Sequence, residues 1–324
     1  MNLRDLEYAL ALERRRSFSR AAEECDAAQP TLSAQIRKLE DELGVQLFER
    51  DGRTIRITSA GELILEQARV ALDAVRRISE LAQSHADPMV GPIRLGIIST
   101  LAPYLLPRAL PQLQALLPQA PLVIVEDLTH RLIEGILSGS LDCALVATEH
   151  REANLMEIPL FDEPFFVALP VTDPLAARSR IAPPDLDPSS LILLNEGHCL
   201  SDQALALCGE VRMRGGHGSD LRATSLDTVL NLVEAGLGTT IVPALARAHM
   251  ERYFSRIAYR PLLGPGASRR VRIVSRPFVP RGPTIHAIAE GIAACLPADT
   301  VTKCKTSRTV TQRKAAKAPR LKQK

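Results

Sequence analysis

The 324-residue chain has no tryptophan and only 3% aromatic residues. Recognition of single-stranded nucleic acid by stacked aromatic platforms is therefore not expected. Uncharged apolar runs stop short of the roughly 18 residues that a membrane span needs. The opening MNLRDLEYALALERRR carries Arg4, Asp5 and Glu7, which break the apolar core of a signal peptide. A cytoplasmic protein with no membrane partner is expected. No CxxC pair occurs, so the common zinc-knuckle and thioredoxin spacings are missing. The six cysteines are Cys25, Cys143, Cys199, Cys208, Cys295 and Cys304. In a reducing compartment they are not a stapling framework for so long a chain.

A one-signed charge balance is missing as well. The formal +3 conceals nine Lys and Arg and no acid in residues 301–324, which leaves −6 for the rest. This basic stretch has little apolar content and no periodicity, and it is expected to be a disordered tail that at most aids binding to a polyanion. The remainder, within a chain 46% hydrophobic and 24% charged, reads as globular and long enough for two or three domains.

Three segments precede the tail: residues 1–58, 59–87 and 88–300. The first is helical and then briefly extended. The second is one helical pattern, ended by Pro88, Gly91 and Pro92. Within it Ile64, Ala68, Ala71, Val75, Ile78 and Ala82 alternate steps of four and three, an a/d seam suited to pairing with a second copy. Packing on the chain's own domain is the alternative. From 92 to about 296, runs such as PIRLGII, PLVIVED, LDCALVA, PFFVALP, SLILLNE, TTIVPAL and RVRIVSR alternate with helical stretches. That pattern predicts an α/β domain with largely parallel sheets.

Residues Phe18–Gly44, FSRAAEECDAAQPTLSAQIRKLEDELG, read as helix, tight turn, helix. Leu32, Ile36, Leu39 and Leu43 form the second helix's buried stripe. Its other face offers Gln29, Thr31, Ser33, Gln35, Arg37 and Lys38 to base edges and phosphates of duplex DNA. In FERDGRTIRIT a turn at Asp51–Gly52 forms a hairpin that can present Arg50, Arg53 and Arg56 to the backbone. Residues 1–58 hold ten basic and eleven acidic residues, so bulk charge gives no support. A helical bundle with the same stripe stays open on composition alone.

In LNEGHCLSDQALALC, His198 adjoins Cys199, and Cys208 follows nine positions on. Fast reaction of a thiol with peroxide needs the anion stabilised. Lowering its pKa by about 1.5 corresponds to roughly 2 kcal/mol. His198 and nearby backbone N–H groups could contribute. Oxidation would give a sulfenic acid at Cys199, which condenses with a second thiol, Cys208 being nearest in sequence. Ordinary buried thiols, or a metal held by His198, Cys199, Cys208 and His217, remain the alternatives, although the spacing fits no common zinc pattern.

The run AAEECDAAQPTLSAQIRKLEDELGVQLFER, followed by TSAGE, resembles the N-terminal winged helix-turn-helix of LysR-type transcriptional regulators. The resemblance extends to about residue 297. It implies a long linker helix that dimerises, and a C-terminal α/β domain of two subdomains resembling periplasmic-binding proteins. It also implies homodimers or homotetramers on operator DNA, RNA polymerase as a partner and no enzymatic turnover. GHCLSDQALALC, STLAPYLLP, PLFDEPF and LRATSLDTV are similar to the hydrogen-peroxide-sensing members. There the resemblance implies a reversible Cys199–Cys208 disulfide, restored by a glutaredoxin or thioredoxin system. It implies a peroxide pocket of Thr100, Thr129, His198, Asp202 and Arg269, with Arg270 adjacent, and no cofactor or metal. Ser201 departs from the Arg that often follows GHCL, and residues 209–220 carry extra glycine and basic content. A LysR-type regulator answering a small organic inducer is the alternative function, and a thiol peroxidase is disfavoured by the DNA-binding head.

Overall fold

The computed structural model describes residues 1–51, 54–149, 154–208 and 222–304. They fall in two compact units, Met1–Ala86 and Asp87–Lys324.

In the first unit α1 (Leu3–Arg15) starts on a capping box between Asn2 and Asp5. α2 (Phe18–Glu24) follows, and the small Ala21 and Ala22 are buried where α2 meets its neighbours. α3 (Gln29–Leu43) has Pro30 in its first turn, where a missing N–H is harmless, and it ends at Gly44 in the left-handed region. Leu32, Ile36 and Leu39 recur at helical spacing and enter the core with Leu6, Leu10 and Leu12 of α1. β1 (Phe48–Asp51) and β2 (Thr54–Ile57) pair antiparallel as the wing. Glu40 fastens the wing's entry by accepting from Leu47 N at 2.7 Å and Phe48 N at 3.1 Å. Arg53 and the Arg50 side chain lie outside the described residues.

α4 (Ser59–Ala86) opens on TSAGE. The Thr58 hydroxyl donates to Gln46 O at 2.6 Å and accepts from Gly61 N at 2.9 Å. A Cβ at Gly61 would overlap the Leu47 carbonyl oxygen and lie 2.8 Å from Ile57 Cγ2. Leu65, Ala68 and Leu72 pack against the unit's own core, so Ala68 of the expected seam serves that core. Ala71, Val75, Ile78 and Ala82 are exposed, as are Leu63 and Val70.

The second unit runs β3 (Ile93–Ile98), α5 (Ala102–Leu116), β4 (Leu122–Asp127), α6 (Thr129–Ser138), β5 (Cys143–Val146), β6 (Met156–Pro170), β7 (Leu193–Leu194), α7 (Cys199–Cys208), β8 (Arg222–Ala223), α8 (Leu226–Glu234), β9 (Thr240–Pro243), α9 (Ala244–Met250), β10 (Ile257–Pro261), β11 (Ser268–Ser275), α10 (Gly282–Cys295) and β12 (Thr302–Lys303). The sheet is mixed, which corrects the expectation of largely parallel pairing. β3 pairs parallel with β4 and β5, whereas β6 pairs antiparallel with β9, β10, β11 and β12. β6 divides the unit: residues 156–164 join β11 and β12, and residues 165–170 join β9 and β10. Phe161 and Phe165, on either side of that division, are fully buried.

Residues 301–304 depart from the expected tail. Val301 is buried, β12 lies along Phe161 and Asp162, and Cys304 N donates to Leu160 O at 2.9 Å. Residues 305–324 lie outside the described residues. Among the described residues no helix is long and apolar enough to cross a membrane. Replacing Gly61 with Ala should destabilise the chain by roughly 1–3 kcal/mol through overpacking. An unchanged denaturant midpoint would show that this close approach is not a constraint.

Candidate functional site

Three chain crossings meet at the carboxyl ends of β3 and β4, where open α/β sheets commonly bind ligands. β3 leads into Ser99 and Thr100, β4 into Leu128 and Thr129, and the Gly197–His198 turn leads into Cys199. They line a small, partly open recess. Gly197 has φ +92°, and a Cβ there would lie 3.0 Å from Leu128 Cδ1, so the turn into Cys199 requires glycine.

Cys199 is the first residue of α7 and is 5% exposed. Burial pushes its thiol pKa up. The Arg269 charge, the nearby Thr129 hydroxyl and the backbone N–H at Cys199 oppose that rise, and Asp202 adds to it. The Thr129 hydroxyl is near enough to act on the sulfur but has no hydrogen bond of ordinary geometry among the described residues. It is a buried oxygen beside the sulfur. His198 Nδ1 lies 3.3 Å from Ser99 Oγ, and burial lowers the imidazole's pKa. Arg269 is the cation that acts on the thiol.

Arg269 points inward, and its neighbour Arg270 faces outward onto Asp162 at 2.7 Å. Arg269 Nη1 donates to Thr100 Oγ1 at 2.8 Å and Nη2 to Thr100 O at 3.1 Å. Its Nε donates to Glu163 Oε2 at 2.8 Å, with both side chains fully buried. Thr100, Thr129, His198 and Cys199 thus share one recess, and Arg269 reaches it through Thr100. Asp202 is exposed in the first turn of α7 and is not among the lining residues.

Two side chains fasten α7. Ser201 Oγ donates to Leu194 O at 2.8 Å, and Gln203 Nε2 donates to Ala147 O at 2.8 Å. Ser201 is therefore a buried anchor where an arginine was the family expectation. The parallel pair β7–β8 joins Leu193 to Arg222 and Leu194 to Ala223, closing the chain on both sides of α7. Residues 209–221 and the Cys208 side chain lie outside the described residues. Sequence reasoning missed Glu163 and Gln203. A charged residue inside the apolar stretch LFDEPFF was the available signal for Glu163. Cys143 is wholly buried in β5, and burial pushes its thiol up.

On α3, Gln29, Thr31, Arg37 and Lys38 are exposed. Lys38 approaches Glu42 at 3.9 Å. Gln35 is half-buried. Ser33 is 5% exposed and accepts from Arg37 Nη2 at 3.3 Å. It stands beside Leu32 and Ile36 on the inward side, so it orients Arg37 and is not on the exposed face of α3 where it was expected.

Residues 3–62 match the family described as bacterial regulatory helix-turn-helix protein, lysR family, and residues 86–294 match the LysR substrate binding domain. The chain belongs to the LysR family of transcriptional regulators. It is 42% identical over 294 residues to the DNA-binding transcriptional dual regulator OxyR of Escherichia coli K12, covering 91% of this chain and 95% of that protein. A full-length OxyR variant from Pseudomonas aeruginosa is 38% identical, with TM-score 0.58, over 91% of this chain and 99% of that one. A Corynebacterium glutamicum OxyR cysteine-to-serine variant with hydrogen peroxide bound is 33% identical, with TM-score 0.60, over 91% and 92%.

Because burial outweighs the favourable charge, alkylation of Cys199 by iodoacetamide should rise with pH until half-maximal above the free-thiol value of about 8.5. A plateau reached below neutral pH would contradict this balance.

Proposed function

We propose that this chain is a cytoplasmic, hydrogen-peroxide-responsive transcription regulator. The observation that carries the reading is one helix with a cysteine at each end, its first residue set in a recess lined by Ser99, Thr100, Thr129 and His198. Peroxide suits this site because its two oxygens can meet the sulfur and the neighbouring hydroxyls together.

Peroxide oxidises the Cys199 thiol to sulfenic acid, with release of one water. The Cys208 thiol then displaces the sulfenic oxygen, again as water, and the disulfide forms. Cα atoms farther apart than about 7 Å cannot be bridged without backbone movement. Nine helical steps separate these two by roughly 13–14 Å, so the bridge requires α7 to unwind. The Ser201 and Gln203 anchors resist, each contributing about 1 kcal/mol. The β7–β8 clamp confines the remodelling to the segment between its strands. A thiol reductant of the glutaredoxin or thioredoxin kind resets it. The sulfur chemistry is stoichiometric signalling, not turnover.

DNA is met by Gln29, Thr31, Gln35, Arg37 and Lys38 of α3, with Arg50 and Arg53 of the wing on the phosphates. The exposed face of α4 suits a second copy, giving dimers and tetramers whose altered geometry reaches RNA polymerase. Cys199→Ser should abolish the peroxide-dependent change in operator footprint and leave binding intact. Cys208→Ser should stall Cys199 as sulfenic acid. A retained footprint change in the Cys199 variant would overturn the proposal.

A further inference from the structure

Glu163 lies where β6 passes from its β11 side to its β9 and β10 side. It faces Arg269 directly across the β6–β11 pair. Both carboxylate oxygens are engaged. Oε2 accepts from Arg269 Nε, and Oε1 accepts from Leu245 N, in the first turn of α9, at 2.8 Å. A counter-ion alone would need only the first contact. The second fixes the plane of the carboxylate, and with it the plane of the guanidinium whose other nitrogens hold Thr100. A hydroxyl that accepts from a guanidinium keeps its own proton to donate. Thr100 lines the recess beside Cys199, so that proton is available to a guest there.

We propose that Glu163 is a positioning residue for the peroxide reaction of Cys199, fixing Arg269 so that Thr100 donates to the departing oxygen. The inference rests on the function proposed above. In the step concerned, a sulfur lone pair attacks the near peroxide oxygen and the O–O bond breaks. The bonding pair goes to the far oxygen, which takes the thiol proton and leaves as water. Sulfur is oxidised to sulfenic acid and peroxide is reduced. Negative charge grows on the far oxygen before the proton arrives, and the Thr100 hydroxyl stabilises it there. Glu163 touches none of the reacting atoms.

The test uses the full chain carrying Cys208→Ser, in which oxidation stops at the sulfenic acid. Rates of Cys199 oxidation by hydrogen peroxide and of its alkylation by iodoacetamide are measured across pH. E163Q places an amide NH2 against either Arg269 Nε–H or Leu245 N–H, so one contact must open. Peroxide oxidation should slow about tenfold or more beyond any change in alkylation, which reports the Arg269 charge on the thiol. E163D keeps the buried charge but is too short to hold both partners, and it should show the same selective loss if E163Q folds poorly. Adding E163Q to T100V should slow peroxide oxidation no further. Equal peroxide rates in parent and variants would overturn the inference alone, and so would a matching loss with both reagents. A parent chain whose Cys199 ignores peroxide would overturn the proposed function and this inference together.

Discussion

An α-helix advances about 1.5 Å per residue, and that rise keeps the backbone positions of Cys199 and Cys208 at opposite ends of α7. The features around α7 bear on whether that separation persists. Ser201 ties the helix to Leu194, and Gln203 ties it to Ala147 beyond β5. The β7–β8 pair brings the chain on either side of α7 to adjacent positions. A covalent bond between the two sulfurs trades these few weak contacts for one strong one, so a small oxidant can drive a large rearrangement.

The recess balances two opposing influences on the sulfur. Burial disfavours the thiolate, and the Arg269 charge with the helix N-terminus favours it. In that balance burial prevails, and the thiol's pKa lies above its ordinary value. Two hydroxyls stand beside the sulfur, that of Thr129 and that of Thr100 held by Arg269.

Much of the fold was legible because its signals are local. The α3 stripe, Pro30 and the punctuation at Pro88–Pro92 act within a few residues, and the structure has a helix over Gln29–Leu43 and an end to α4 at Ala86. The sheet was harder. Pro159 and the acids of MEIPLFDEP disguise the first half of β6, whose extended form is set by β11 and β12 beside it. The same holds for β10, short and broken by Arg260, and for β12, which only pairing makes a strand. At the site, Thr100, Thr129, His198 and Arg269 were named from the family motif, and their contacts are tertiary. That is why the inward turn of Ser33, the exposure of Asp202 and the double grip of Glu163 are not readable from residue order.

Amide hydrogen exchange over residues 199–208, followed before and after one equivalent of peroxide, addresses the central claim most directly. The account predicts protected amides in the reduced chain and a loss of that protection that tracks, in time and in extent, the appearance of the Cys199–Cys208 bridge. A bridge that forms while the helix amides stay protected would contradict it.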